Sequence, residues 1–263
     1  MNKKTHLLAI DPQYDFCNPK GALVVPRADE DMKRLAEMVN RMKDGLDDIH
    51  ITMDSHRTIH IAHPIFWVDK DGKHPNPFTV ISHDDVKNGV WHSYNPALQQ
   101  KASDYTKTLE DNGRYVLCIW RPHCLIGSQG HSIDANVFEA ITEWENQFAM
   151  IDYVTKGSNP FTEHYSAVKA DVEDPSDPTT RLNGNLLDSL LEADDILITG
   201  EALSHCVANT VRDIADNFGD ENIKKFVLIE DTTSNVATFE SLGEDFVKEM
   251  MARGMRTAKS TDF

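Results

Sequence analysis

Six short apolar runs, separated by amphipathic stretches, constrain this chain more than any other feature of its sequence. The runs are rich in β-branched residues and leucine, and they lack the polar alternation of a strand with one solvated face. They span residues 6–10, 48–53, 114–120, 149–154, 195–200 and 225–231. Runs of this kind are typical of strands that are buried on both faces, so we expect helices to cover both sides of the sheet.

Helical periodicity fills several of the intervals between these runs. Apolar residues recur every three or four positions in residues 29–44, 204–218 and 236–251, which predicts helices with one buried face. Strands that alternate with helices favour a parallel arrangement. We therefore predict an α/β fold with three layers, α/β/α, around a mostly parallel, doubly wound central sheet.

The alternation is interrupted between residues 64 and 112, where the sequence has no clear period. This stretch carries several prolines, glycines and histidines together with Trp67 and Trp91. A chain of 263 residues suits one domain with an insertion. We predict a single domain over residues 1–263 with an insertion at about 64–112, which is either a lid near the site or a surface excursion with its own small core.

The charge of the chain narrows the choice of partners. Lys and Arg number 26 and Asp and Glu 43, so the formal net charge is −17. Such a chain repels the phosphates of nucleic acids and of anionic lipids, and we expect neither as a partner. The apolar run from Leu7 to Ile10 is too short for a signal peptide, and no window approaches the roughly 18 apolar residues of a membrane span. We therefore expect a cytoplasmic protein.

Chemically reactive side chains lie at the carboxyl ends of five of the predicted strands. In chain order they are Asp11, Asp54, His56, His123, Lys156 and Cys206. Each one alone has an ordinary alternative, such as an aspartate that caps a turn or a lysine that is solvated. In doubly wound sheets, however, ligands bind beyond the carboxyl ends of the strands. Their joint placement predicts one functional site at that edge.

A metal centre is one component of this predicted site. Asp54 and His56 are two positions apart on an extended segment, so their side chains project to the same side, and His123 is a candidate third ligand. One carboxylate and two imidazoles suit one divalent ion, with Zn²⁺ preferred and Fe²⁺ or Mn²⁺ as alternatives. His60 and His63 follow closely and compete as ligands. The chain has 12 histidines, so chance clustering is the alternative.

Cys206 has two interpretations. At the start of the predicted helix 204–218, the positive helix end would lower the pKa of its thiol and favour the nucleophilic thiolate, with Ser204 as the helix cap. Cysteine is also among the most buried residue types and often only packs. The chain has four cysteines, which are far apart and form no CxxC pair. We expect free thiols in a reducing compartment.

Five segments, spread over nearly the whole chain, carry a resemblance to a known family. They are LLAIDPQYDFCNPKGALVVPRAD (7–29), MDSHRTIHIAH (53–63), WRPHC (120–124), KGSNPFTEHYSA (156–167) and GEALSHCV (200–207). Together they resemble the isochorismatase-like cysteine hydrolases and, within them, the nicotinamidase/pyrazinamidase branch, whose metal segments distinguish it from members that use no metal. The chain departs from the family at Leu203 and Ser204, which replace a Thr-Asp pair, at the order of Arg121 and Pro122, and at the added His63.

The resemblance implies an amidohydrolase that converts nicotinamide and water to nicotinic acid and ammonia through a cysteine thioester. The residues it implies are Asp11, Lys156 and Cys206 for catalysis, the backbone N–H groups of Ala202 and Cys206 for an oxyanion hole, Phe16 and Trp120 for stacking on the substrate, and Asp54, His56 and His123 for the metal, with His60 a further match by spacing. In the family the peptide bond that corresponds to Glu201–Ala202 is cis.

Two alternatives remain at this stage. The first is hydrolysis of another small amide or ureido compound by the same chemistry, because the departures at the nucleophile turn affect the substrate more than the reaction. The second is a member that binds metal or a partner without catalysis. Members of the family often assemble into dimers or larger species, so we also expect a homo-oligomer.

Overall fold

A parallel sheet forms the centre of the protein, whose computed structural model describes residues 3–263. The strands of the described chain are β1 (Thr5–Ile10), β2 (Asp48–Asp54), β3 (Trp67–Val68), β4 (Val80–Ile81), β5 (His92–Ser93), β6 (Leu117–Cys118), β7 (Asp152–Lys156), β8 (Asp195–Gly200), β9 (Phe226–Ile229) and β10 (Arg256–Ala258). Six of them form the central sheet in the order β10-β9-β8-β1-β2-β7, and all neighbours are parallel. The chain builds this sheet outward from β1 in both directions, which confirms the predicted doubly wound topology.

Helices cover both faces of this sheet. They are α1 (Tyr14–Cys17), α2 (Ala28–Met42), α3 (His83–Lys87), α4 (Gln99–Asp111), α5 (Ala135–Glu145), α6 (Gly184–Leu191), α7 (Ala208–Phe218), α8 (Asp220–Ile223) and α9 (Glu240–Ala252). Within β1, Leu7 and Ala9 pack in one core with α2 and α5, whereas Leu8 and Ile10 pack in a second core with α6, α7 and α9. Successive strand side chains point to opposite faces, so an apolar run without alternation fills both cores. The predicted α/β/α layering is confirmed.

The third apolar run, residues 114–120, is not a strand of the central sheet, and this part of the prediction is wrong. Its short strand β6 pairs antiparallel with β4, and the position beside β2 belongs to β7. Leu117 and Ile119 are nevertheless buried. The local sequence encodes burial, whereas the pairing partner depends on which other strand reaches the same edge first. The sixth central strand is β10, which is only partly buried and therefore has no apolar run to indicate it.

The insertion at residues 64–112 packs onto the main core. It contains β3, β4 and β5 with the helices α3 and α4. Trp67 is fully buried in the core that also holds α2 and α5, and its indole N–H donates to the carbonyl of Ile61 at 2.6 Å. Tyr105 of α4 is buried in the same core. Within the described residues, no helix is both long enough and apolar enough to cross a membrane.

The burial of Trp67 generates a stability prediction. Trp67→Ala removes a fully buried indole and should lower the free energy of unfolding by about 3–5 kcal/mol. The matched control is Tyr94→Ala in the same insertion, because Tyr94 is 65% exposed and an exposed substitution changes stability by about 0.5 kcal/mol or less. Urea denaturation of both variants measures the difference. Equal losses for the two variants would contradict the placement of Trp67 in the main core.

Candidate active site

Four adjacent strands bring the predicted catalytic residues to one edge of the sheet. Asp54 and Lys156 are the last residues of β2 and β7 and lie opposite each other in the parallel register. Asp11 directly follows β1, and Cys206 lies in the turn that follows β8. Because the sheet order is β8-β1-β2-β7, the carboxyl ends of these strands meet. The structure therefore places all four side chains in one buried cluster.

The ammonium group of Lys156 is the centre of this cluster. Its Nζ lies 2.9 Å from Oδ2 of Asp11 and 3.2 Å from Oδ1 of Asp54. It also donates to the carbonyl oxygen of His164 at 3.0 Å and lies 3.6 Å from Sγ of Cys206. Burial disfavours the ammonium form, but the two carboxylates outweigh it and hold the pKa of Lys156 well above its usual value. Lys156 is therefore a permanent buried cation.

Asp11 is held on both of its carboxylate oxygens. The hydroxyl of Thr52, in the neighbouring strand β2, donates to Oδ1 at 2.5 Å, while Oδ2 faces Lys156. The backbone N–H of Asp11 donates to the Thr52 carbonyl at 3.1 Å. Burial raises the pKa of the Asp11 carboxyl, and Lys156 opposes this shift. A buried carboxylate with a raised pKa is a competent proton acceptor in a reaction. Sequence reasoning missed Thr52, whose partner lies on another strand.

Cys206 is a buried thiol rather than a resting thiolate. Burial raises the pKa of its thiol well above the usual value, although Lys156 acts in the opposite direction. The prediction of a lowered thiol pKa is therefore wrong. Its basis was the start of an α-helix, but Leu203–Val207 forms a π-helical turn and α7 begins only after it. The proton of the thiol must leave as the sulfur reacts, and Asp11 is the adjacent acceptor. The four cysteines are free thiols, as predicted.

Ser204 does not cap this helix, so that expectation is also wrong. Its hydroxyl oxygen accepts a hydrogen bond from the backbone N–H of Val236 at 3.1 Å and lies 2.9 Å from Nδ1 of His205. The N–H of Leu203 in turn donates to the carbonyl of Ser234 at 2.8 Å. The two residues that depart from the family pattern therefore attach the nucleophile turn to the segment after β9.

Glu201 is a buried acid that sequence reasoning missed. It is fully buried immediately before Ala202, and the Glu201–Ala202 peptide bond is cis, as the resemblance implied. Its Oε2 accepts a hydrogen bond from the backbone N–H of Ser234 at 3.1 Å. Burial raises the pKa of the Glu201 carboxyl, and the Asp31 carboxylate within hydrogen-bonding reach raises it further. A protonated Glu201 therefore supports the backbone next to Ala202.

The three predicted metal ligands surround one position beside this cluster. Oδ2 of Asp54 lies 3.0 Å from Nε2 of His56 and 3.3 Å from Nε2 of His123. Two ligands of one tetrahedral ion with bonds of about 2.1 Å are roughly 3.4 Å apart, so these separations suit a shared divalent ion. Each histidine places its other nitrogen near a carbonyl oxygen: Nδ1 of His56 is 3.2 Å from that of Gly157, and Nδ1 of His123 is 2.7 Å from that of Arg121. Metal-ligating histidines usually have such a partner.

Gly157 leaves the room that these ligands need. A Cβ atom at this position would lie 2.7 Å from Oδ1 of Asp54 and 3.0 Å from the His56 ring. Its φ of +79° also lies in the left-handed region that favours glycine. The donor set and the glycine beside it therefore fit a bound divalent cation.

A pocket opens above the thiol. Its apolar and aromatic lining consists of Phe16, Leu23, Val25, Trp120, Tyr165, Ala202 and Val236, and its polar lining consists of Asp54, His123, Glu163, His205 and Cys206. The empty space is ≈ 410 Å³, including solvent at the mouth. The predicted aromatic residues Phe16 and Trp120 both line it. Sequence reasoning did not select Glu163, Tyr165 or His205, because nothing in a local sequence tells which way a loop side chain points.

Comparison with known proteins follows from this geometry. No protein-family model matches the chain. The nicotinamidase of Saccharomyces cerevisiae is 22% identical over 213 residues, which cover 80% of this chain and 81% of the yeast protein. The structure of that yeast nicotinamidase superposes with a TM-score of 0.68 and 19% identity over 97% of this chain and 99% of the yeast chain. It has also been solved with the inhibitor nicotinaldehyde bound.

Two further structures agree. The nicotinamidase/pyrazinamidase of Acinetobacter baumannii superposes with a TM-score of 0.64 and 21% identity, covering 99% of this chain and 98% of that one. The pyrazinamidase of Pyrococcus horikoshii, solved in complex with zinc, has a TM-score of 0.58 and 19% identity, covering 97% and 99%. The chain has the isochorismatase-like fold of the nicotinamidases. This part of the predicted resemblance is confirmed.

Glu201 generates a prediction on pH and stability. Because its pKa is raised above the usual 4.5 in the folded state, the unfolded chain releases the proton first and stability falls as pH rises above that value. Glu201→Gln keeps a donor for Asp31 and cannot ionise. The melting temperature of this variant should therefore gain on that of the unaltered protein between pH 5 and pH 8.

The control is Glu143→Gln on the exposed side of α5, which removes the same charge from the surface. Thermal melts of both variants at several pH values measure the effect. If the Glu201→Gln difference does not grow with pH, or if Glu143→Gln shows the same growth, Glu201 is not a protonated buried acid.

Proposed function

We propose that the protein is a cysteine amidohydrolase of the nicotinamidase type, which hydrolyses nicotinamide to nicotinic acid and ammonia. One observation carries this proposal: Nζ of Lys156 lies 2.9 Å from Oδ2 of Asp11 and 3.6 Å from Sγ of Cys206 at the base of a pocket with aromatic walls. A nucleophile, a proton acceptor and a fixed cation in contact are what acyl transfer to a thiol requires. The relatives named above supply the substrate class.

In the first step, Sγ of Cys206 attacks the amide carbonyl carbon and its proton passes to the Asp11 carboxylate. This order follows from the raised thiol pKa, because a neutral thiol needs a base at the moment of attack. The carbonyl oxygen becomes an oxyanion, and we assign the backbone N–H groups of Ala202 and Cys206 as its donors. One such donor typically contributes about 3–4 kcal/mol to the transition state.

In the second step, the tetrahedral intermediate collapses to a thioester. The C–N bond breaks, and Asp11 returns its proton to the departing nitrogen, which leaves as ammonia. A water molecule then attacks the thioester carbonyl with Asp11 as the base, and the C–S bond breaks as the Cys206 thiol is restored. Each turnover therefore consumes one water and one amide and yields one carboxylic acid and one ammonia.

Lys156 makes this proton traffic possible through its charge. Its ammonium stabilises the Asp11 carboxylate before attack and the developing negative charge on sulfur during attack. Because its own pKa is held well above the usual value, it does not exchange the proton itself. We therefore assign Lys156 an electrostatic role and Asp11 the proton-transfer role.

Phe16 and Trp120 are assigned to substrate binding. Both line the pocket, and the Trp120 indole N–H donates to the Tyr165 hydroxyl at 2.8 Å. This hydrogen bond holds the indole plane in one orientation, so that its face is available to a flat ring. An aromatic amide gains stacking contacts with both rings while its carbonyl reaches Cys206.

Asp54, His56 and His123 are assigned to one divalent ion, with zinc as the first choice because the Pyrococcus horikoshii structure contains it. When bound, the ion supplies a Lewis-acidic position for a ring nitrogen, directly or through water. The chain itself holds the two imidazoles by backbone carbonyls and holds Asp54 by Lys156. These contacts fix the three ligands at one wall of the pocket.

We also propose roles for the features outside the pocket. In the insertion at residues 64–112, the Phe78 ring lies 5.7 Å from the Trp120 ring and its N–H donates to the Ile119 carbonyl. This contact supports an insertion that closes the pocket wall behind Trp120, within a single domain. Free thiols suit a reducing compartment such as the cytosol. A homo-oligomer stays a prediction, which light scattering of the purified protein tests.

The nucleophile assignment predicts the effect of one substitution. Cys206→Ala should lower kcat for ammonia release from nicotinamide by about 10⁴-fold or more, with an unchanged melting temperature within a few degrees. The matched control is Cys118→Ala in β6, another buried free thiol, whose pKa burial raises to about 12; its activity should stay within about twofold.

A coupled ammonia assay with nicotinamide, pyrazinamide and several ureido compounds separates the outcomes. Retained turnover in Cys206→Ala would remove the cysteine mechanism. Release of ammonia from ureido compounds but not from nicotinamide, lost in Cys206→Ala, would keep the mechanism and replace the substrate.

Removal of the metal should act mainly on substrate binding. Protein stripped with a chelator should show a KM for nicotinamide raised by about tenfold or more, and added Zn²⁺ should restore it. The reason is that Cys206, Asp11 and Lys156 contact one another without the ion, whereas substrate orientation depends on it. Steady-state kinetics of stripped and reloaded protein measure this. Full activity in protein shown by elemental analysis to be metal-free would exclude the metal role.

A further inference from the structure

The structure separates the two histidines that follow the metal segment, and we propose that His63 is a fourth protein ligand of the divalent ion whereas His60 is not. The inference deepens the proposed metal site and rests on it. By spacing alone His60 was the match and His63 was an added residue, so the proposal reverses the order that the sequence indicated.

Both nitrogens of His60 already have partners. The backbone N–H of Ala62 donates to Nδ1 at 3.2 Å, so Nδ1 carries no proton. In a neutral ring the proton is then on Nε2, which lies 3.1 Å from the carbonyl oxygen of Thr162 and donates to it. The ring is fully buried. A metal bond to His60 would require the loss of one of these two hydrogen bonds.

His63 is different, because one of its nitrogens has no partner. Nδ1 lies 3.2 Å from the carbonyl oxygen of Thr58. A carbonyl oxygen only accepts, so Nδ1 carries the proton and Nε2 keeps its lone pair. Nε2 is buried and has no hydrogen-bond partner among the described residues. An unsatisfied buried polar atom is costly and calls for an explanation, and an unmodelled ion is one of the usual ones.

The open nitrogen of His63 belongs to the same group as the assigned ligands. One ring nitrogen each of His56, His63 and His123 lies within 4.8 Å of the others, and all three residues are buried. The His63 ring centroid is 5.3 Å from that of His56 and 5.9 Å from that of His123. Since Nδ1 of His63 is engaged with Thr58, the nitrogen that faces this group with a free lone pair is Nε2.

The three rings also share one hydrogen-bond pattern. In His56, His63 and His123, Nδ1 lies 2.7–3.2 Å from a backbone carbonyl oxygen. That contact selects the tautomer whose Nε2 is free for a metal, as in most metal-ligating histidines. His60 departs from the pattern, because its Nδ1 accepts and its Nε2 is engaged with Thr162. The local geometry therefore groups His63 with the assigned ligands.

A fourth ligand changes what the ion can do. Three imidazoles and one carboxylate complete a tetrahedral protein shell, so a substrate or water must enter as an additional ligand or bind through the second shell. A shell of four protein ligands also holds the ion more tightly than one of three. The metal of this protein should accordingly resist removal by dilution and weak chelators.

The experiment compares two matched variants, His63→Gln and His60→Gln. Glutamine keeps a side-chain amide that can hydrogen-bond to a backbone carbonyl but lacks an imidazole lone pair. Competition with a chromophoric chelator measures the Zn²⁺ affinity of each variant. We expect a Kd raised by about 10–100-fold or more in His63→Gln and within about threefold of the unaltered protein in His60→Gln. Circular dichroism of the metal-free variants verifies that each is folded.

A second readout needs no variant. X-ray absorption of the zinc-loaded, unaltered protein counts the imidazoles bound to the ion, and the proposal requires three. A count of two, or an unchanged Zn²⁺ affinity in folded His63→Gln, overturns it, and a loss confined to His60→Gln assigns the ligand to His60 instead. Asp54→Ala is the reference: if zinc binds equally well without Asp54, the proposed metal site itself is wrong, which is a different result.

Discussion

The buried ammonium of Lys156 is the interaction on which the rest of this site depends. Two carboxylates, Asp11 and Asp54, lie in the same water-free edge of the sheet, and each would be strongly destabilised there without a counter-ion. Lys156 contacts both of them and also reaches the sulfur of Cys206. The strand register that pairs Lys156 with Asp54 is thus an electrostatic requirement as well as a backbone one.

Asp54 connects the two halves of the site. One oxygen, Oδ1, faces the Lys156 ammonium, and the other, Oδ2, faces Nε2 of His56 and of His123. A cation on the Oδ2 side withdraws charge from the same carboxylate that helps to hold Lys156, so the field at Asp11 and Cys206 depends on whether the metal position is filled. Substrate orientation and nucleophile electrostatics are therefore coupled through a single side chain.

The nucleophile turn shows how a departure from a family pattern is accommodated. Ser204 receives a backbone hydrogen bond from Val236, and Glu201 receives one from Ser234. Both contacts link the turn to the segment after β9, so the backbone around Ala202 and Cys206 is held by side chains of the turn itself. Sequence reasoning had left this stretch as the least explained part of the site, because each partner lies some thirty residues away along the chain.

The sequence by itself determined the layers, the parallel central sheet and the presence of Asp11, Asp54, Lys156 and Cys206 at strand ends, because apolar periodicity and strand-end position are local properties. The tertiary structure decided what depends on distant partners. It sent the run at 114–120 to a small antiparallel pair, made the Cys206 thiol neutral through burial, and distinguished two neighbouring histidines by their hydrogen bonds. Strand pairing, desolvation and tautomers are set by atoms that are remote in sequence, and no local pattern records them.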